Sequence, residues 1–141
     1  MKRLFRNAFL LSARQKKIIV LVFLLSIYRN LLLLIGSKQA FSENISKNLK
    51  YKTTLTVEKM AIAKDIALGI AIVNKYMIWK NVCRHQSWQA VYLLIKYKIP
   101  FEYKVGVKKM KNVKEGHSWV KVNDKFISGR CNENNYIVLN K

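Results

Sequence analysis

The stretch from Trp79 to Pro100, WKNVCRHQSWQAVYLLIKYKIP, most constrains what this chain can fold into. A short polar turn leads straight into Cys83. From there Ser87, Ala90, Val91, Leu94 and Ile95 recur at helical spacing, and Cys83 opens the same stripe. The run stops at Ile99-Pro100, because a residue before proline is pushed out of the helical conformation. The spacing predicts a buried helix with a cysteine in its first turn, pointing at whatever covers the helix. A helix N-terminus carries unsatisfied N–H groups and roughly half a positive charge, and both favour a thiolate. Position alone does not make a nucleophile, since a cysteine in a core helix is more often a small hydrophobe.

Past Pro100 the periodicity changes to that of strands. Phe101, Tyr103, Val105 and Val107 alternate with Glu102 and Lys104. Lys108 to Gly116 reads as a polar loop, and HSWVKV begins a strand at His117. Asn123-Asp124 is a two-residue hairpin turn, and KFISGR returns. CNENN is a second loop, and YIVLN a last short strand. The predicted class is α+β, a helical N-terminal half packed on a small antiparallel sheet.

The strand beginning at His117 supplies what the cysteine lacks. An imidazole there can take the thiol proton, the thiolate can attack a carbonyl, and N–H groups at the helix start can hold the oxyanion. His85 lies two residues past Cys83, so on a helix it faces elsewhere and is expected at the surface. Gln86, in the same helical turn as Cys83, is a candidate to offer its amide to a bound carbonyl, with a capping or surface glutamine as the alternative. Trp119, on the His117 face of its strand, is a second substrate-binding candidate.

The N-terminal half is helical support. Lys2, Arg3, Arg6, Arg14, Lys16 and Lys17 precede the apolar run IIVLVFLLS, and Tyr28-Arg29-Asn30 interrupts it before LLLLIG. A spanning helix needs about 20 consecutive apolar residues, and a charge inside the span costs ~2.5–3.5 kcal/mol. The segment is therefore expected to be a buried or interfacial helix ending at Gly36-Ser37, ahead of a membrane anchor or signal peptide. Lys38 to Thr54 reads as a polar loop. Thr56 then caps a helix through VEKMAIAKDIALGIAIVNKYMIW, whose Asp65 is expected to pair with a neighbouring lysine. Residues 1–55 form a basic, Leu-rich segment and 56–141 the core, expected to act as one compact unit.

With 27 basic and 7 acidic residues the net charge is +20. Such a balance fits a solvated surface or an acidic partner. No nucleic-acid-binding signature accompanies it, so nucleic acid is not expected. Cys83 and Cys131 show neither a CxxC pattern nor metal-ligand spacing, so no metal is expected. A lysine-rich chain without a cleavable signal suits a reducing cytoplasm with both thiols free.

From Cys83 onward the chain resembles the transglutaminase-like cysteine protease half of the lasso peptide biosynthesis B proteins, the leader peptidases. Trp79, Cys83, Gln86, Ile99-Pro100, Gly106-Val107, His117-Ser118-Trp119 and the strand from Tyr136 to Leu139 carry the resemblance in type and spacing. It implies a papain/transglutaminase-like fold without a cofactor, Cys83 as nucleophile and His117 as general base and then acid. It implies removal of a leader from a ribosomal precursor peptide. The implied partners are that precursor, a separately encoded leader-recognition protein and an ATP-dependent macrolactam synthetase. Membrane association is a lesser option. The family pattern also places an acid after the histidine to orient it. Asp124 is the only downstream Asp, but it sits in the hairpin turn, ~20 Å from His117 along a strand rising ~3.3 Å per residue. A regular hairpin returns past His117 near Gly129 to Asn132, so Asn132, a backbone carbonyl, or Asp124 in an irregular turn are the candidates. Two other readings stand beside the peptidase: a decayed scaffold bridging precursor and synthetase, and a membrane-tethered acyl transferase of the same fold.

Overall fold

The computed structural model describes residues 11–35, 54–79, 82–109 and 115–139. Among the described residues three helices, α1 (Ala13–Leu34), α2 (Val57–Tyr76) and α3 (Cys83–Lys96), precede four strands: β1 (Glu102–Lys108), β2 (Gly116–Val122), β3 (Lys125–Ser128) and β4 (Tyr136–Val138). One turn of 3-10 helix, Glu133–Asn135, leads into β4. The sheet order is β3-β2-β1-β4, and all neighbours are antiparallel. The class is α+β, helices packed on a small antiparallel sheet, as the sequence predicts.

Local chemistry sets the helix starts. Ser12 Oγ accepts the Gln15 N–H at 3.2 Å while Gln15 Oε1 accepts the Ser12 N–H at 3.0 Å, a reciprocal capping box. Thr56 caps α2 as anticipated, accepting the Lys59 N–H at 3.2 Å. The α1 helix runs unbroken through Tyr28-Arg29-Asn30. Arg29 turns inward and is buried, and Asn30 Nδ2 donates to the Ser26 carbonyl one turn back. It ends at Leu34, before the predicted Gly36-Ser37 stop. That pair and the polar stretch up to residue 53 lie outside the described residues.

Helix α1 packs on α2 through a close crossing at Gly69. A Cβ there would stand 3.2 Å from Ile18 Cγ2 and 3.5 Å from Val22 Cγ2. Asp65 shares that buried side of α2, so its partners come from α1 rather than from a neighbouring lysine: Arg14 Nε at 2.6 Å and Gln15 Nε2 at 3.0 Å. Gln89 of α3, fully buried, donates to Ser26 Oγ at 3.0 Å and ties α1 to α3. The core gathers Ile18 and Val22 from α1, Ile66 and Ile70 from α2, Leu94 from α3, and Val120 and Val122 from β2.

The hairpin between β2 and β3 uses positive φ at Asn123 (46°) and Asp124 (62°), as two-residue turns matched to strand twist require. The ladder then slips between Val120 and Lys121, a bulge that bends β3 and displaces the chain beyond Ser128.

The α1–α2 crossing gives a direct test. Gly69→Leu should overpack it, costing ~1–3 kcal/mol and lowering the thermal midpoint by roughly 3–10 °C in a circular-dichroism melt.

Candidate functional site

The sheet has two unlike faces. Tyr103 pairs with Val120 and Val105 with Ser118, and this face meets the helices. Gly106 pairs with His117 and Lys104 with Trp119 on the opposite face.

Ser87, in the second turn of α3, reaches the first face. Its Oγ lies 3.2 Å from Ser118 Oγ and 3.2 Å from Ser128 Oγ. All three hydroxyls are buried, so each satisfies another. Small side chains at these positions let the helix close on β2 and β3. Cys83 lies one helical turn before Ser87, and His117 one residue before Ser118. The thiol and the imidazole are thus each one step from the same contact.

Cys83 is the first residue of α3, a half-buried free thiol. Its N-cap is Val82, which has no side chain able to cap the helix. The Val82 carbonyl takes the N–H groups of His85 (2.9 Å) and Gln86 (3.2 Å). Among the described residues nothing takes the N–H groups of Cys83 and Arg84. Gln86 is half-buried in the same turn.

Tyr103 was not anticipated as a site residue. Burial raises its hydroxyl pKa, the Arg84 charge opposes that, and the Cys83 thiol adds to it. The side chain therefore sits within electrostatic reach of the first turn of α3. Its alternation with Val105 was readable in the sequence; its nearness to Cys83 depends on the angle at which α3 crosses β1.

His117 does not hydrogen-bond to Cys83. Its Nε2 is 2.9 Å from the Gly129 carbonyl. A carbonyl can only accept, so Nε2 carries the proton and a neutral ring keeps its lone pair on Nδ1. That is the tautomer a general base needs. The ring stacks on Tyr136 (centroids 5.3 Å apart) and Trp119 (6.0 Å), which also touch each other at 5.8 Å, a three-ring cluster. Trp119 is fully buried, so it positions the imidazole and has no surface left for substrate. Gly106 lies beneath these rings. A Cβ there would come within 3.0 Å of Trp119 Cη2 and 3.1 Å of Tyr136 Cβ.

Both side chains proposed to orient His117 are engaged elsewhere. Asn132 Oδ1 accepts the Asn134 N–H at 3.2 Å and caps the 3-10 turn. Asp124 is exposed in the hairpin and pairs with Lys121 at 3.6 Å. The backbone carbonyl of Gly129, in the stretch where the hairpin is expected to return past His117, is the acceptor instead. Gly129 has φ +65° and lies against the Ser118 carbonyl, where a Cβ has no room. The segment after it is pinned by Glu133, whose carboxylate meets Lys121 Nζ at 2.8 Å and Lys104 Nζ at 3.6 Å. The Lys121 hydrogen bond holds the Glu133 pKa below its ordinary value. Cys131 is a half-buried free thiol whose pKa is raised by burial and then by Glu133, so it stays protonated at neutral pH.

His85 is not the surface residue expected. It is half-buried, and burial, then Arg29 and Arg84, lower its pKa from 6.5 to about 4. Arg29 is 3% exposed, its Nε and Nη1 have no hydrogen-bond partner, and burial lowers its pKa to about 10. The first turn of α3 thus has a cationic flank. Among the described residues no three His, Cys, Asp or Glu side chains gather as metal ligands.

Residues 28–141 match a family model described as the transglutaminase-like superfamily. Comparison with curated proteins and with solved structures gives no match.

Two outcomes test this geometry. Gly129→Ala should destabilise the fold by ~1–3 kcal/mol and displace its carbonyl, moving the His117 nitrogen chemical shifts away from the Nε2–H tautomer. For His85 the unfolded chain binds more protons than the folded one between pH 6.5 and about 4, so stability falls as pH falls through that window. Thermal midpoints at pH 7.0 and 4.5 should differ less in His85→Gln than in the parent.

Proposed function

The chain belongs to the transglutaminase-like superfamily, and on that footing we propose that it is a thiol enzyme acting on a peptide amide, the leader peptidase of a lasso peptide pathway. The superfamily includes cysteine peptidases and acyltransferases, which share a covalent thioester step. The observation that carries the reading is the pairing of an uncapped helix start at Cys83 with an imidazole whose Nε2–H is held by the Gly129 carbonyl. The narrower assignment to leader removal rests on the motif run from Trp79 to Leu139.

In this mechanism His117 Nδ1 takes the proton from Cys83 Sγ. The thiolate attacks the scissile carbonyl carbon, and the open N–H groups of Cys83 and Arg84 receive the oxyanion. Collapse breaks the C–N bond, and the imidazolium gives its proton to the departing amine of the core peptide. Water, deprotonated by His117, then attacks the thioester carbon. The leader leaves as a carboxylate and the thiol is restored. In the free structure His117 lies on the sheet face opposite the one that meets α3 and makes no bond to Cys83, so this step requires substrate binding to bring the two groups together.

Leader choice falls to a separate recognition protein, and the freed core passes to an ATP-dependent macrolactam synthetase. The basic surface suits an acidic leader or partner, and the free thiols suit the cytoplasm.

One observation favours a second reading. The His117 ring stacks with Trp119 and Tyr136 and makes no bond to Cys83, which fits a scaffold that has lost catalysis. Cys83→Ala and His117→Ala should each lower precursor cleavage at least about a thousandfold, with melts near that of the parent. In the enzyme, iodoacetamide should alkylate Cys83 at pH 6 much faster than an ordinary thiol. A rate that rises only toward pH 8.5, with cleavage unaffected by Cys83→Ala, would favour the scaffold.

A further inference from the structure

The outward side of α1 has no role in the chemistry above. Val20, Leu24, Tyr28, Leu31 and Leu34 are 55%, 52%, 52%, 51% and 83% exposed. Their spacing of four, four, three and three residues draws one line along the helix, ~21 Å long at 1.5 Å per residue. Lys16 and Lys17 are exposed one turn ahead of Val20 on the same side. Helix α1 contains no acidic residue, and Lys2, Arg3 and Arg6 precede it in the sequence.

Three occupants compete for an apolar stripe of this kind. A second copy would bring together two chains of charge +20, each with lysines at the end of the stripe. That repulsion works against self-association. A bilayer crossed by α1 matches its length and hydropathy. However, the inner side of the helix is bound into the fold. Arg14 and Gln15 hold Asp65, Ser26 receives Gln89, and Ile18 and Val22 fill the crossing at Gly69. Crossing would break these contacts or carry α2 and α3 into hydrocarbon. The third occupant is the surface of an anionic bilayer, with α1 lying in its plane.

The charge fits this third case, because each Lys or Arg near an anionic leaflet contributes about 1 kcal/mol of attraction. The aromatic residues fit it as well. Tyr28 stacks on Trp88 at 6.4 Å, Trp88 meets Tyr92 in a tilted contact at 5.9 Å, and both tyrosines are about half exposed. Amphipathic rings favour the headgroup level, where one side is apolar and the other wet.

We propose that the outer face of α1 is a membrane-surface site that binds anionic phospholipid bilayers, with the helix in the plane of the membrane and Lys16 and Lys17 at the headgroups. The inference is independent of any role for Cys83.

The test is flotation of the full chain with vesicles of phosphatidylcholine alone and of phosphatidylcholine with phosphatidylglycerol. The chain should float with the anionic vesicles, bind the neutral ones at least tenfold less, and lose binding as salt rises. The double variant Leu24→Glu/Leu31→Glu should reduce flotation at least tenfold while its melt stays within a few degrees of the parent, since both positions are exposed. Bound protein should be released by alkaline carbonate. The proposal is overturned by any of four results: no flotation with anionic vesicles, flotation unchanged in the double variant, resistance to carbonate as a spanning helix shows, or a dimer in light scattering that the double variant dissolves.

Discussion

The contact on which the rest depends is the buried meeting of three serines, Ser87 on α3, Ser118 on β2 and Ser128 on β3. Each is small enough to let a helix approach a sheet closely, and each hydroxyl would be an unsatisfied cost without the other two. Cys83 is one turn up the helix from this contact and His117 one residue along the strand, on the opposite face of the sheet, so the contact sets how the proposed thiol and base stand relative to each other. The aromatic layer on the far face holds the imidazole. In the proposed enzyme the helix supplies the thiol and its first-turn N–H groups, while β2 and the segment after β3 supply the base and its orienting acceptor.

Much of this architecture could be read in the sequence because periodicity and punctuation speak locally. The apolar stripe from Cys83, the proline after Ile99, the cap at Thr56 and the Asn123-Asp124 turn each mark an element by short-range physics. The partner of Asp65 could not be read in that way, and for His117 a backbone carbonyl near Gly129 to Asn132 was readable only as one of three candidates. Asp65 finds Arg14 across more than fifty positions, through a helix crossing that depends on a glycine. The His117 acceptor is a main-chain oxygen, and every residue offers one, so no residue type announces it. The bulge in β3 is likewise invisible in a strand of four residues. His85 and Arg29 were hidden for a different reason: their burial comes from the close approach of α1 to the start of α3, which helical phase within either element does not reveal.

Those two residues mark where the protein departs from ordinary packing. A guanidinium with unsatisfied donors costs stability and is kept ionised only because its intrinsic basicity is so high. It lies within electrostatic reach of His85, which stays neutral as a result of burial and of positive neighbours. The open end of α3 therefore has positive potential from two sources, the helix dipole and fixed side-chain charge, on the side where the proposed mechanism places its oxyanion.

The Gly129 carbonyl has a consequence for control. An orienting carboxylate can be disabled by acid or removed by one substitution in its side chain. A peptide oxygen has no proton to gain and is present whatever residue stands at the position. The imidazole is thus governed by the mobility of a chain segment, and that segment is clamped where Glu133 bridges Lys121 and Lys104. Whatever loosens those surface ion pairs, such as high salt or a competing acidic partner, acts on the base without touching it.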